Sequence, residues 1–249
     1  MRKSPLLALS FLILLLPSLS AGVRHFGFIY EAPTSPPGAV EMENFMTWQH
    51  ASSPERSDQL AFRHEFEFGV TDRFHASIYL ADWSYQNERR HSALRYADSA
   101  VELIYNLSNP VVNPVGLSIY QEIKGGNRLL EWESKLIAQK NLGPLILAYN
   151  ATLEAVWEGE HLSGRSGEFQ QAIGASYELS PRLSFGVELL HEFLFPNWQD
   201  EEKLRNLFVG PNVSYRRGSW FATIAALAQA TDTEGEPDLQ VRIIFGVGL

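Results

Sequence analysis

The chain has 249 residues, with 29 acids against 20 Lys and Arg, a net charge of −9 and no cysteine. That length allows one large all-β domain or two small ones. The acidity argues against nucleic acid as a partner, and the missing cysteines exclude the disulfide framework on which small secreted domains lean.

Met1-Arg2-Lys3 is a basic start, Leu6 to Leu16 an apolar core, and Pro17-Ser18-Leu19-Ser20-Ala21 a run of small residues. This pattern predicts a secretory signal peptide over 1–21, cleaved after Ser20 or Ala21. Its apolar core of about 11 residues is short of the roughly 20 that a membrane-spanning helix needs. No cysteine follows it, which excludes a lipoprotein. Without Arg2 and Lys3 the mature chain has 29 acids and 18 bases, a net −11. After residue 22 no apolar run approaches spanning length, so a membrane form of this chain crosses as strands.

Residues 22–37 (GVRHFGFIYEAPTSPP) carry aromatics and a proline cluster that forbids a central strand. They are expected to form a short leader on the periplasmic side. From Gly38 onward, over 38–249, apolar residues recur with period 2, interrupted by turn residues. Twelve segments are predicted: 39–49, 59–70, 74–84, 94–107, 114–123, 129–140, 144–157, 167–179, 183–195, 206–216, 219–229 and 238–249. Each has about the 10 residues of a tilted membrane strand.

The connections alternate in kind. Thr71-Asp72-Arg73, Asn141-Leu142-Gly143, Ser180-Pro181-Arg182 and Arg217-Gly218-Ser219 are tight; 51–57, 86–92, 159–167, 196–205 and 231–238 are longer and polar. GGN (125–127) is a short member of the long set, and SNPVVN (108–113) a long member of the short set. Short turns at one end and longer loops at the other are the habit of an up-and-down membrane barrel. Val70-Thr-Asp-Arg-Phe74 and Leu179-Ser-Pro-Arg-Leu183 share one form: apolar, hydroxyl, Asp or Pro, Arg, apolar. A three-residue loop would keep its flanking residues on one face.

Phasing the strands separates two faces. One carries Phe66, Phe68, Val70, Ile78, Val101, Leu103, Leu136, Leu153, Ile173, Val187, Val209 and Phe245. The other carries Glu41 and Glu43, then Arg63, Glu65 and Glu67, then Glu102, Glu131, Glu133 and Lys135, then Glu154, Glu178, Glu188 and Arg242. Asp98, Glu122, Glu168 and Glu192 share it, with small or polar residues such as Gly116, Asn150 and Gly174 in the gaps. Export, unequal loops and aromatics near strand ends (Trp48, Trp83, Trp132, Trp157, Trp220) favour the apolar face toward lipid and the charged face toward a lumen. The expected fold is all-β, a closed up-and-down antiparallel transmembrane barrel of about 12 strands.

The final strand, LQVRIIFGVGL, resembles the C-terminal recognition signal of Gram-negative outer-membrane barrels, though members usually end in an aromatic and this chain ends in Leu249. FIYEAPTSPPGAVEMENF (28–45) and HEFEFGVTDRF (64–74) resemble an uncharacterised family of outer-membrane barrels of this size. The resemblance implies a bacterial outer-membrane location and transfers no catalytic residues.

No enzymatic role is expected. His75 and Ser77 share a strand face, at the spacing of a His and a Ser in outer-membrane phospholipases, but here they face the lumen just after a short turn, and the Gly-bearing residues that follow the family's serine are replaced by Ile78-Tyr79-Leu80. His-x-His, HExxH and acidic calcium-loop spacings are missing, so no metal site and no cofactor is expected. Asp200, Glu201 and Glu202 read as a solvated loop. On the inner face acids outnumber the bases Arg63, Lys135, Arg216 and Arg242, and rings of carboxylates attract cations. The functional expectation is passive passage or uptake of small polar or cationic solutes, with outer-membrane lipid as the surroundings. A non-conducting structural or adhesion barrel is the alternative, and a lipid-modifying enzyme the third.

Overall fold

A computed structural model describes residues 22, 24–53, 56–88, 91–199 and 205–249. The expected signal peptide over 1–21 and the acidic stretch 200–202 lie outside the described residues. The strands are β1 (Val40–Ala51), β2 (Ser57–Thr71), β3 (Phe74–Tyr79), β4 (Trp83–Glu88), β5 (His91–Tyr96), β6 (Asp98–Ser108) and β7 (Gly116–Gly126). They continue as β8 (Leu129–Leu142), β9 (Leu145–Glu158), β10 (Gly164–Ser180), β11 (Leu183–Pro196), β12 (Arg205–Arg217), β13 (Trp220–Gln229) and β14 (Leu239–Gly248). All pair antiparallel, and β1 pairs with β2 on one side and β14 on the other, so the sheet closes on itself. Closure leaves no strand edge unpaired, which is the condition for crossing hydrocarbon.

The fourteen segments make a wall of twelve strands. β3 and β4 both pair with β2 and form one wall strand, broken at 80–82. β5 and β6 form the next, broken at Ala97. The two breaks face each other: Asp82 N–H donates to Asp98 O, and Ala97 N–H donates to Asp82 O, both at 2.8 Å. Each break shifts the parity by one residue. Ile78 and Leu80 point outward before the first, and Trp83 after it; Leu94 and Tyr96 point outward before the second, and Val101 and Leu103 after it. Two matched irregularities thus keep both faces intact across adjacent strands.

The two faces divide as the alternation predicts. Leu136 (50% exposed), Leu153 (62%) and Ile173 (52%) look outward, whereas Glu65, Glu102, Glu122 and Glu188 are fully buried inside. A contiguous exposed apolar surface of this extent marks a membrane-facing wall. Aromatics band both ends. Tyr215, Trp220 and Phe245 stack in a row near the short turns, with centroids 5.6 and 6.1 Å apart. Trp83 meets Tyr96, and Trp157 meets Trp198, near the long loops. Such belts are what the two lipid–water interfaces favour.

Of residues 22–37, expected on the periplasmic side, the described ones (22 and 24–37) run inside the barrel. The segment starts near Glu41 at the short-turn end, reaches its inner limit near Gly27 and Phe28, and returns to Gly69, where Gly38 N–H donates to Gly69 O at 2.8 Å. Phe26 and Ile29 are buried among Ile146, Ala148, Ala172, Leu190, Phe208 and Leu227. Those wall residues lie on the inner parity of β9 to β13 and give the charged lumen one apolar patch. The leader splits the lumen. A cavity of about 330 Å³ lies on its short-turn side and one of about 270 Å³ on its long-loop side.

Candidate functional site

The wall reads the leader mainly through its backbone. Glu188 takes the N–H groups of Gly27 and Phe28, both at 2.7 Å. Asn150 accepts from Tyr30 N–H at 2.7 Å and donates to Tyr30 O at 2.9 Å. Gln139 accepts from Ala32 N–H at 2.8 Å, while Asn106 and Ser118 donate to Ala32 O at 2.7 and 2.5 Å. Thr223 donates to Arg24 O at 2.6 Å. A segment with no strand partner has its polar groups satisfied side chain by side chain, as burial requires.

Charges fix the leader's two ends. On β1 and β2, Glu43 lies opposite Glu65 and Glu41 opposite Glu67, all four buried. Like charges directly opposite repel. The leader answers all four: Arg24 pairs with Glu43 at 2.7 Å and reaches Glu65 at 3.8 Å, and Gly22 N–H donates to Glu41 at 2.6 Å. Ser35 donates its hydroxyl proton to Glu67. His25 lies 2.7 Å from Glu31 and 3.3 Å from Glu178. Burial pulls the His25 pKa down, but Glu31 and Glu178 outweigh this and hold the imidazolium above its ordinary range.

A row of carboxylates circles part of the wall. Glu102 faces Glu122, Glu122 faces Glu133, Glu133 faces Glu154 and Glu154 faces Glu168, on β6 to β10. One end of this row is compensated. Arg63 bridges Asp82 at 2.7 Å and Glu122 at 3.1 Å; Lys124 bridges Glu122 and Glu131; Lys135 holds Glu133 at 2.8 Å. Tyr79 and Tyr120 donate to Glu102 and Glu122, both at 2.7 Å. Arg63 lies 3.9 Å over the Tyr79 ring, and Lys135 lies 4.2 Å over Tyr30 of the leader. Oxygens of Glu122, Glu131 and Glu133 come within 4.8 Å of one another, close enough to share an ion. Each already bonds Lys or Arg, so this cluster is built as an ion-pair network.

The other end is uncompensated. Glu154, Glu168 and Glu192 have no Lys, Arg or His at ion-pair distance among the described residues. They line the 270 Å³ cavity with Arg242, which also has no carboxylate partner at that distance among them.

The thirteen residues picked from the sequence do not form one site. Glu41, Glu43, Glu65, Glu67, Glu178 and Glu188 face the leader; Arg63, Glu102, Glu131, Glu133 and Lys135 belong to the ion-pair network; Glu154 and Arg242 face open cavity. Sequence reasoning missed Arg24 and Lys124. Lys124 shares the parity of Glu122, but Gly125-Gly126-Asn127 reads as a turn that ends the strand at 123, whereas β7 continues to Gly126. His75 and Ser77 are buried in the lumen, away from lipid: His75 accepts from Ser35 N–H at 3.3 Å, and Ser77 donates to Glu102 at 3.5 Å.

Several solved structures share this fold. The COG4313 outer membrane channel from Pseudomonas putida F1 is 10% identical, with TM-score 0.65 over 88% of this chain and 98% of that one. The NanC porin is 9% identical, with TM-score 0.59 over 85% and 100%. The beta domain of the Bordetella autotransporter BrkA is 10% identical, with TM-score 0.60 over 84% and 98%. A channel, a porin and an autotransporter domain on one architecture show the fold and leave function to the site. No curated protein matches the sequence. The sequence profile of a family of unknown function (DUF6662) matches residues 18–238.

Proposed function

We propose, for a chain that belongs to the family of unknown function DUF6662, that it is a non-enzymatic outer-membrane channel for small polar solutes, held shut in this structure by its own residues 22–37. The observation that carries this reading is the pair of lumen cavities with the leader between them, both bounded by Arg24 and Tyr30. Withdrawal of the leader would join them into one passage. The wall carries more carboxylates than bases, and after withdrawal Glu43 and Glu65 would lose their Arg24 counter-charge. Cations are then favoured over anions.

Planar-bilayer conductance tests this. Full-length protein is expected to conduct rarely, and a variant lacking 22–37 but keeping residues 1–21 to conduct steadily, with a reversal potential of cation sign in a salt gradient. A folded deletion variant that stays silent would instead support a structural barrel, the reading favoured by the dense backbone anchoring of the leader.

A further inference from the structure

We propose that the cavity on the long-loop side is a binding site for one small amphoteric solute of the amino-acid class, with basic amino acids held best. This deepens the channel reading by naming a solute class, although binding here needs no passage. The cavity, about 270 Å³, falls below the range of roughly 300–1,000 Å³ usual for drug-sized ligands. It suits a single small solute.

Its charges are sorted unusually. Arg24, Arg63, Lys124 and Lys135 border the cavity, and each already holds a carboxylate. Arg242 does not. Its Nε donates to Thr47 Oγ1 at 2.9 Å, one Nη reaches Gly27 O at 3.4 Å, and its guanidinium lies 4.1 Å from the Phe28 ring centroid. Three to five strands further round the wall stand Glu192, Glu168 and Glu154, which have no basic partner among the described residues. Gln170 donates to Glu192 at 3.1 Å and to Glu168 at 3.4 Å, so a neutral donor serves these two.

Closed strands hold these opposite charges apart, and the wall cannot collapse to pair them. A solute with a carboxylate at one end and an ammonium at the other would satisfy both. The guanidinium offers its planar fork to the carboxylate, and the glutamates take the ammonium. Three glutamates without a basic partner among the described residues, against one such guanidinium, favour a second cationic group on the solute. Phe28 and Tyr30 also line the cavity and give a methylene chain an apolar surface.

Calorimetry on the detergent-solubilised full-length barrel tests this with L-lysine, cadaverine (the same chain without the carboxylate) and glutarate. L-lysine is expected to bind about tenfold tighter than cadaverine, the worth of one charge-assisted contact, and glutarate not to bind. Arg242→Gln should abolish the preference for L-lysine over cadaverine, while Arg242→Lys keeps part of the difference. Glu168→Gln should weaken both amines. Each variant is checked for the folded barrel by its heat-dependent gel migration. Equal binding of L-lysine and cadaverine to the parent protein, or no L-lysine binding by folded protein, overturns the site. L-lysine binding without conductance of the leader deletion sinks the channel alone, and the converse sinks the site alone.

Discussion

At Gly174 one added carbon decides whether the leader can dock. A Cβ there would fall 2.5 Å from Phe26 Cε1 and 2.7 Å from Ile29 Cδ1. The sequence shows this glycine as a small residue on the inner parity; its reason is the close approach of the leader. Gly174→Leu is therefore expected to expel Phe26 from its apolar cluster while the wall stays closed. Limited proteolysis within 22–37 of the folded variant checks this, and protection equal to the parent protein would refute it. Arg24 is the complementary case. Arg24→Gln leaves Glu43 and Glu65 buried without their cation, and breaking a buried pair costs about 3–5 kcal/mol. The docked leader should loosen in the same assay, whereas Arg24→Lys should retain most of the protection. Neither contact could be read beforehand, because both need the leader placed inside the wall.

The strands themselves are plain in the pattern, since period-2 alternation and short turns are local properties. The likeness of the turns after Val70 and Leu179 is also real. Both carry a register shift, between Gly69 and Thr71 and between Glu178 and Ser180. In both a hydroxyl accepts the N–H two residues on, Thr71 from Arg73 and Ser180 from Arg182, each at 3.3 Å. The breaks at 80–82 and 97 escape a sequence reading because each shifts the phase by one, and polar residues at 84, 86 and 87 read equally well as the start of a loop. Face assignment makes a sharp prediction here. Leu136 points to lipid next to inward Lys135. Leu136→Arg should destabilise refolding into bilayers by about 2–4 kcal/mol at mid-membrane depth, measured by denaturant titration in vesicles. A neutral effect would reverse the faces.

For the molecule as a whole, the plug is the feature that the sequence hides, and the reason is chemical. The wall recognises the leader largely through N–H and C=O groups, which every residue carries, so the leader's own side chains report little of it. His25 is an exception, and it makes docking depend on pH. It faces Glu31 on the leader, Glu178 on β10 and, beyond Glu178, Arg216 on β12, with Arg182 in the adjoining turn. Its pKa is raised in the docked state from the ordinary 6.5. A raised pKa means that docking is fully supported below 6.5, where the free imidazole is also protonated, and that this support is lost as pH climbs through the docked value. Conductance of the full-length barrel should therefore rise as pH climbs above the ordinary 6.5. Other lumen acids can titrate too, so the diagnostic quantity is the difference from His25→Gln, in which the part of the rise due to His25 should vanish. Bilayer recordings at stepped pH supply both curves. If the two coincide, or if opening increases toward acid, the His25 contact does not hold the leader in place.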